Sequence, residues 1–151
     1  MAFNRILCAV DFSEMSLEAF RLAAEMARRF ASNLYVMHVI EARPVASALI
    51  GVDAVGEMAV ELEEKATDAL ESLVASSASD LGGVPLTLEV TAGRAFVEIL
   101  NRARDLPADL IVLGAKGATA LEQIVVGGTA ELVMKDAPCS TLIVRFGPLT
   151  G

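Results

Sequence analysis

DLIVLGAKGATALEQIVVGGTAE, Asp109 to Glu131, runs from a short aliphatic segment into a cluster of glycines and then into a helix-like segment. Leu110-Ile-Val-Leu113 is too short for a helix and too apolar for a surface strand, so it predicts a strand buried on both faces. Strands of that kind belong to parallel sheets covered by helices. The glycines Gly114, Gly117, Gly127 and Gly128 follow at the strand's C-terminal end, where such sheets bind ligands.

The same alternation extends outward in both directions. Arg5 to Asp11 predicts a buried first strand, and Ser16 to Phe30 a helix with Phe20, Ala23, Ala24, Ala27 and Phe30 inward. Leu34 to Ile40 predicts strand two. Glu41 to Gly56, with Pro44 and Gly51, reads as a long loop before a helix of about five turns, whose apolar stripe is Leu62, Ala66, Ala69, Leu70 and Leu73. Gly82-Gly83 stops that helix, and Pro85 to Thr91 alternates like an edge strand. Ala95 to Leu106 is helical with Phe96, Ile99, Leu100, Ala103 and Leu106 inward, and Pro107 ends it. After the glycines, Thr129 to Lys135 predicts a short helix and Thr141 to Arg145 a last strand. The sum is βαβαβαβαβ. It predicts one α/β domain over residues 1–151: an open five-stranded parallel sheet with helices on both faces.

Composition narrows the function. A chain of 151 residues, 54% of them hydrophobic, buries a core without disulfides or a structural metal. A net charge of −8 argues against nucleic acid as a partner. No apolar run reaches the roughly 18 residues of a membrane span and the N-terminus lacks a signal-peptide pattern, so a cytoplasmic protein is expected. Cys8 and Cys139 are far apart in sequence and read as buried structural residues. The lone His38 supports no nitrogen-rich metal site; it reads as a residue that orients the loop after strand two.

Two polar, glycine-rich segments stand at strand ends, Asp11-Phe-Ser-Glu14 and Gly114-Ala-Lys-Gly117, and they share one crevice if strands one and four are neighbours. By spacing alone the glycines serve equally as a phosphate cradle or as punctuation between strand and helix, and the Walker pattern is absent. Gly127-Gly128 entering a helix adds an anion-binding helix N-terminus. Asp11 reads as a ligand contact, Ser13 as the cap of helix one, Thr129 as a first-turn residue and Lys116 as either a phosphate partner or a solvated loop lysine. A phosphoacceptor receiver domain is excluded: Asp11 has no acidic partner beside it and the last strand carries no lysine.

Gly114-x2-Gly117-x9-Gly127, the segment Ala137-Pro-Cys-Ser-Thr-Leu-Ile-Val-Arg145, the start Ile6-Leu-Cys-Ala-Val-Asp-Phe-Ser-Glu14 and His38-Val39-Ile40 together resemble the universal stress protein family over essentially the whole chain. The glycine spacing is similar to that of its ATP-binding branch. The resemblance implies a Rossmann-like, adenine nucleotide alpha hydrolase-like fold and a stress-response module that binds ATP, ADP or AMP, with or without Mg²⁺. It further implies a homodimer, for which the last strand is a candidate edge. It places Asp11 at the ribose, Val39 and Leu113 at the adenine, and Gly114, Lys116, Gly117, Gly127 and Gly128 at the phosphates. No residue reads as a base that activates water, so a regulatory role with at most slow ATP hydrolysis is expected. An interaction protein with an empty crevice is the alternative. Gly128 stands where the family pattern carries a serine or threonine hydroxyl, a loss worth roughly 0.5–1.5 kcal/mol of binding if that hydroxyl meets phosphate.

Overall fold

The computed structural model describes residues 2–41, 52–116 and 126–145. Five strands, β1 (Arg5–Ala9), β2 (Asn33–Ile40), β3 (Leu86–Ala92), β4 (Leu110–Gly114) and β5 (Ser140–Val144), form one parallel sheet in the order β3-β2-β1-β4-β5. The helices are α1 (Glu14–Phe30), α2 (Val52–Ser76), a single turn α3 (Ala78–Leu81), α4 (Ala95–Asp105) and α5 (Gly128–Asp136). The chain winds from β1 outward to the edge strand β3, then crosses back to place β4 on the other side of β1. Strands one and four are therefore neighbours, paired Ile6 to Leu110, Leu7 to Ile111 and Cys8 to Val112.

The period-2 alternation of the strands sorts their side chains into two cores. Ile6, Cys8, Val10, Leu34, Val36, Leu110 and Val112 pack with the alanine-rich face of α1 and with Leu70 of α2. Leu7, Met37, Ile111 and Leu113 pack on the opposite face with Ile99, Leu100 and Ala103 of α4 and Val133 of α5. Helices cover both faces, as near-continuous aliphatic strands require.

Three expectations differ from the structure. The long loop expected over 41–56 differs at its end, because α2 begins at Val52 and carries Gly56 within it, while residues 42–51 lie outside the described residues. A glycine inside a helix costs about 1 kcal/mol relative to alanine, a cost that 25 helical residues absorb. Leu62 lies outside the buried stripe, 46% exposed with Met58 and Val60 beside it, while Ala66 and Leu70 are buried. Phe30, at the end of α1, is 44% exposed and meets Phe3 edge-on at 5.4 Å instead of entering the core.

Two polar fastenings hold the layers. Asp109 Oδ2 accepts the backbone N–H groups of Asn4 and Arg5, each at 2.8 Å, which fixes the start of β1 against β4. Arg102 of α4 forms a two-pronged ion pair with Glu89 of β3, its Nε 2.6 Å from Oε2, and its guanidinium lies 5.8 Å from the Tyr35 ring centroid. The Glu89 hydrogen bond raises the Arg102 pKa above its ordinary value, so the guanidinium keeps its charge.

Burial pushes the Cys8 thiol up to about 12. Cys139 is half-buried, and it too is raised, first by burial and then by the charge of Asp109. A raised thiol pKa favours the neutral form, so thiolate is scarce in both at mildly alkaline pH. Thiol-reagent titration of the folded protein is expected to modify Cys139 slowly and Cys8 not at all, whereas both react at once in denaturant. Equal rates at the two sites in the folded protein would contradict this packing.

Candidate functional site

The C-terminal ends of β1, β2 and β4 open into a crevice of about 490 Å³, within the range of small-molecule pockets. It lies over the point where the strand order reverses. Asp11, Val39, Leu113, Gly114, Lys116, Gly127, Gly128 and Thr129 all line it. These residues come from four separate stretches of chain. Gly117 lies outside the described residues.

The loop after β1 is built from short-range hydrogen bonds. Asp11 Oδ1 accepts the Ser13 N–H at 3.0 Å and the Ser13 hydroxyl, and Ser13 Oγ accepts the Ser16 N–H at 3.3 Å as the cap of α1. Ser16 Oγ accepts the Asp11 N–H at 3.2 Å and donates to the Ser13 carbonyl at 3.0 Å. Between them Phe12 adopts a left-handed backbone, φ 66°. For a bulky side chain this conformation costs about 1–2 kcal/mol, which the surrounding bonds offset. His38 Nδ1 lies 2.7 Å from the Val10 carbonyl oxygen, and its ring is 5.0 Å from that of Phe12. The chain's only histidine thus fastens the loop after β1 to the end of β2, whereas it was expected to orient the loop after strand two.

Gly114 answers to packing. A Cβ there would stand 2.8 Å from the Met15 carbonyl carbon and 2.8 Å from the Ser16 nitrogen, both backbone atoms. The missing side chain lets the first turn of α1 lie directly on the end of β4, and so brings the two polar loops together. Gly128 is different: a Cβ there meets nothing within 4 Å.

Three helix N-termini with defined caps face this rim, and they are treated differently. At α1 the first turn is capped by Ser13, which Asp11 in turn holds. At α4 the N-cap Arg94 makes no side-chain cap, but Glu41 Oε1 accepts the Ala95 N–H at 3.1 Å. At α5 the N-cap is Gly127, with no side-chain cap. The Gly127 N–H itself is spent on the Ala115 carbonyl at 2.6 Å, and the first intrahelical bond runs from the Glu131 N–H to the Gly127 carbonyl. The N–H groups of Gly128, Thr129 and Ala130 therefore have no intrahelical partner at the positive end of the helix dipole. Lys116 lines the same end.

Residues 2–145 match the family model for the universal stress protein family. The chain belongs to that family. A universal stress protein of Methanocaldococcus jannaschii is 34% identical over 146 residues, covering 95% of this chain and 82% of that one. Among solved structures, the universal stress protein UspA from Lactobacillus plantarum superposes with a TM-score of 0.82 at 28% identity, covering 96% and 99% of the two chains. A universal stress protein solved in complex with cAMP shares the fold, with a TM-score of 0.65 at 16% identity over 96% and 98% of the two chains. As a universal stress protein the chain has the five-stranded parallel α/β sheet of its relatives, and none of its described helices is long and apolar enough to cross a membrane.

Glu41, Ala95, Ile99 and Ser16 also line the crevice and were not anticipated from sequence. A signal for Glu41 was present: an acidic residue directly after strand two stands at the same rim as Asp11. Ala95 and Ile99 carry no such mark, because an alanine and an isoleucine on a helix face read only as core.

Proposed function

We propose that this universal stress protein is a regulatory module that binds an adenine nucleotide, ATP, ADP or AMP, in the crevice over β1 and β4. The observation that carries this reading is the contrast among the helix ends. At α1 and α4 one first-turn N–H is held by a side chain of the protein, while α5 has no side-chain cap among the described residues and presents its first-turn donors and dipole to the crevice that Lys116 also lines. The phosphates sit there. The base then lies toward Val39 and Leu113, which belong to the same face of the sheet as Ile99, with Asp11 at the ribose between the two ends. Mg²⁺, where it accompanies the nucleotide, would be held by the phosphates themselves, since the described residues include no cluster of carboxylates or histidines to hold it, and it would offset the phosphate charge. A relative of the same fold, solved with cAMP, accommodates an adenine nucleotide.

Binding without turnover is the expected behaviour. His38 Nδ1 is engaged with the Val10 carbonyl and Glu41 Oε1 with the Ala95 N–H, so both side chains serve to hold the walls of the crevice. The nucleotide acts as a signal by stabilising one conformation or assembly. Free thiols at Cys8 and Cys139 and a nucleotide ligand fit the cytoplasm. The outer edge of β5 ends the sheet and serves a homodimer; a monomer mass by light scattering at micromolar concentration would remove that element.

Calorimetric titration with ATP and Mg²⁺, together with analysis of nucleotide released on denaturing freshly purified protein, tests the central reading. Saturable heat or co-purified adenine nucleotide is expected. Neither appearing at millimolar ligand leaves the interaction role, through β5, as the surviving function.

A further inference from the structure

Along part of α2 no layer among the described residues covers the helix. Residues 56–65 are exposed all round it, over about 15 Å of its axis, whereas Ala66 and Leu70 are buried and Leu73 and Val74 pack against the core beside α1. Met58, Leu62, Ala66 and Leu70 follow one another at four-residue steps and so lie along one stripe. The stripe that is core at Ala66 and Leu70 thus runs on into solvent at Met58 and Leu62, 44% and 46% exposed. Val60 is exposed as well, but two residues from each of them it stands on the opposite side of the helix.

Charge decides among the occupants. From Glu57 to Glu71 the helix carries six acidic residues and one lysine, and Lys65 is paired with Glu61 at 3.1 Å. Glu61 and Glu63 flank Leu62, each about 100° round the helix from it on either side. A second copy of the same face would set carboxylates against carboxylates, and an anionic lipid surface or a nucleic acid meets the same repulsion. An apolar face bordered by lysine or arginine matches both the stripe and its margins.

We infer that the Met58–Leu62 stripe of α2 is a docking site for a partner protein that presents a basic amphipathic helix. The partner's apolar residues lie on Met58 and Leu62, and its cations reach Glu61 and Glu63. Among the described residues α2 contributes none to the crevice, so docking needs no nucleotide.

The probe is a fluorescent peptide of about five helical turns, leucine on one face and lysine on the other, whose anisotropy is followed as the intact protein is added. Saturable binding in the micromolar range is expected without nucleotide. Met58→Gln with Leu62→Gln keeps the charge and the helix propensity and is expected to weaken binding by about 10–100-fold. Glu61→Gln with Glu63→Gln is expected to weaken it by about 3–10-fold at low salt and by less at high salt. Val60→Gln removes an exposed apolar side chain from the opposite face and is expected to change nothing. All these positions are exposed, so the thermal midpoints are expected to hold. A wild-type protein that leaves the peptide unbound at millimolar concentration, a Met58 and Leu62 variant that binds as the wild type does, or an equal loss in Val60→Gln overturns the inference. So does sedimentation of the wild type alone as a larger assembly that the Met58 and Leu62 substitutions dissolve, which would give the stripe to a second copy of this chain.

Discussion

Gly114→Ala is expected to lower the thermal midpoint by about 5–10 °C at this chain length, corresponding to about 2–3 kcal/mol. The added methyl would meet the Met15 carbonyl carbon and the Ser16 nitrogen at 2.8 Å. Both are main-chain atoms of the first turn of α1, and a helix cannot yield at one point as a flexible side chain can. Relief requires the turn to lift from β4. Such a shift disturbs Ser13 and Ser16, whose bonds hold Asp11 at the crevice, so any nucleotide affinity falls with the stability. Gly128→Ala is the matched control: its methyl enters open space, and its effect is expected within about 0.5 kcal/mol. Thermal melts followed by circular dichroism compare the two variants. Equal midpoints would refute a packing role for Gly114.

Gly128→Asp is expected to separate stability from binding. An acidic residue in the first turn of a helix is favourable by about 0.3–1 kcal/mol, so the melting temperature holds or rises. The same carboxylate competes for the uncapped N–H groups of α5 and repels phosphate, and nucleotide affinity is expected to fall by about 10–100-fold. Gly128→Ser supplies a neutral hydroxyl in the same open space and is expected to strengthen binding up to about tenfold. Calorimetric titration with ATP checks both. An affinity indifferent to Asp and Ser at this position would move the phosphates away from α5.

The strands were legible in sequence because each is a short, nearly uninterrupted aliphatic run, and such runs fit nothing else in an α/β chain. Their neighbours were not legible. That β1 lies beside β4 follows from a crossover, and only the structure turns two separate polar loops into one crevice. The start of α2 was hidden because Pro44, Gly51 and Gly56 imitate a loop, whereas packing along the rest of the helix outweighs a single glycine. Leu62 misled for the opposite reason: its spacing suits a buried stripe, but no layer among the described residues buries it.

At the crevice, residue type marked Asp11 and the glycines as candidates but did not say what each glycine is for. Gly114 is small because α1, nearly 100 residues earlier, rests on it. The Gly127 N–H is committed to Ala115 and leaves the proposed phosphate role to its successors. Glu41 caps a helix that begins 54 residues later, a relation with no local pattern to betray it.

The sheet is stitched unevenly. β2 and β3 run in register from Leu34–Leu86 to Ile40–Ala92, but β1 and β4 share only the short ladder from Ile6–Leu110 to Cys8–Val112. The crevice opens directly above that short ladder. A ligand touching Asp11 on one side and α5 on the other is a splint across the thinnest joint between the first and second halves of the chain. If the proposed nucleotide is that ligand, its occupancy is written into amide exchange along the joint, as the rate at which the two halves breathe apart.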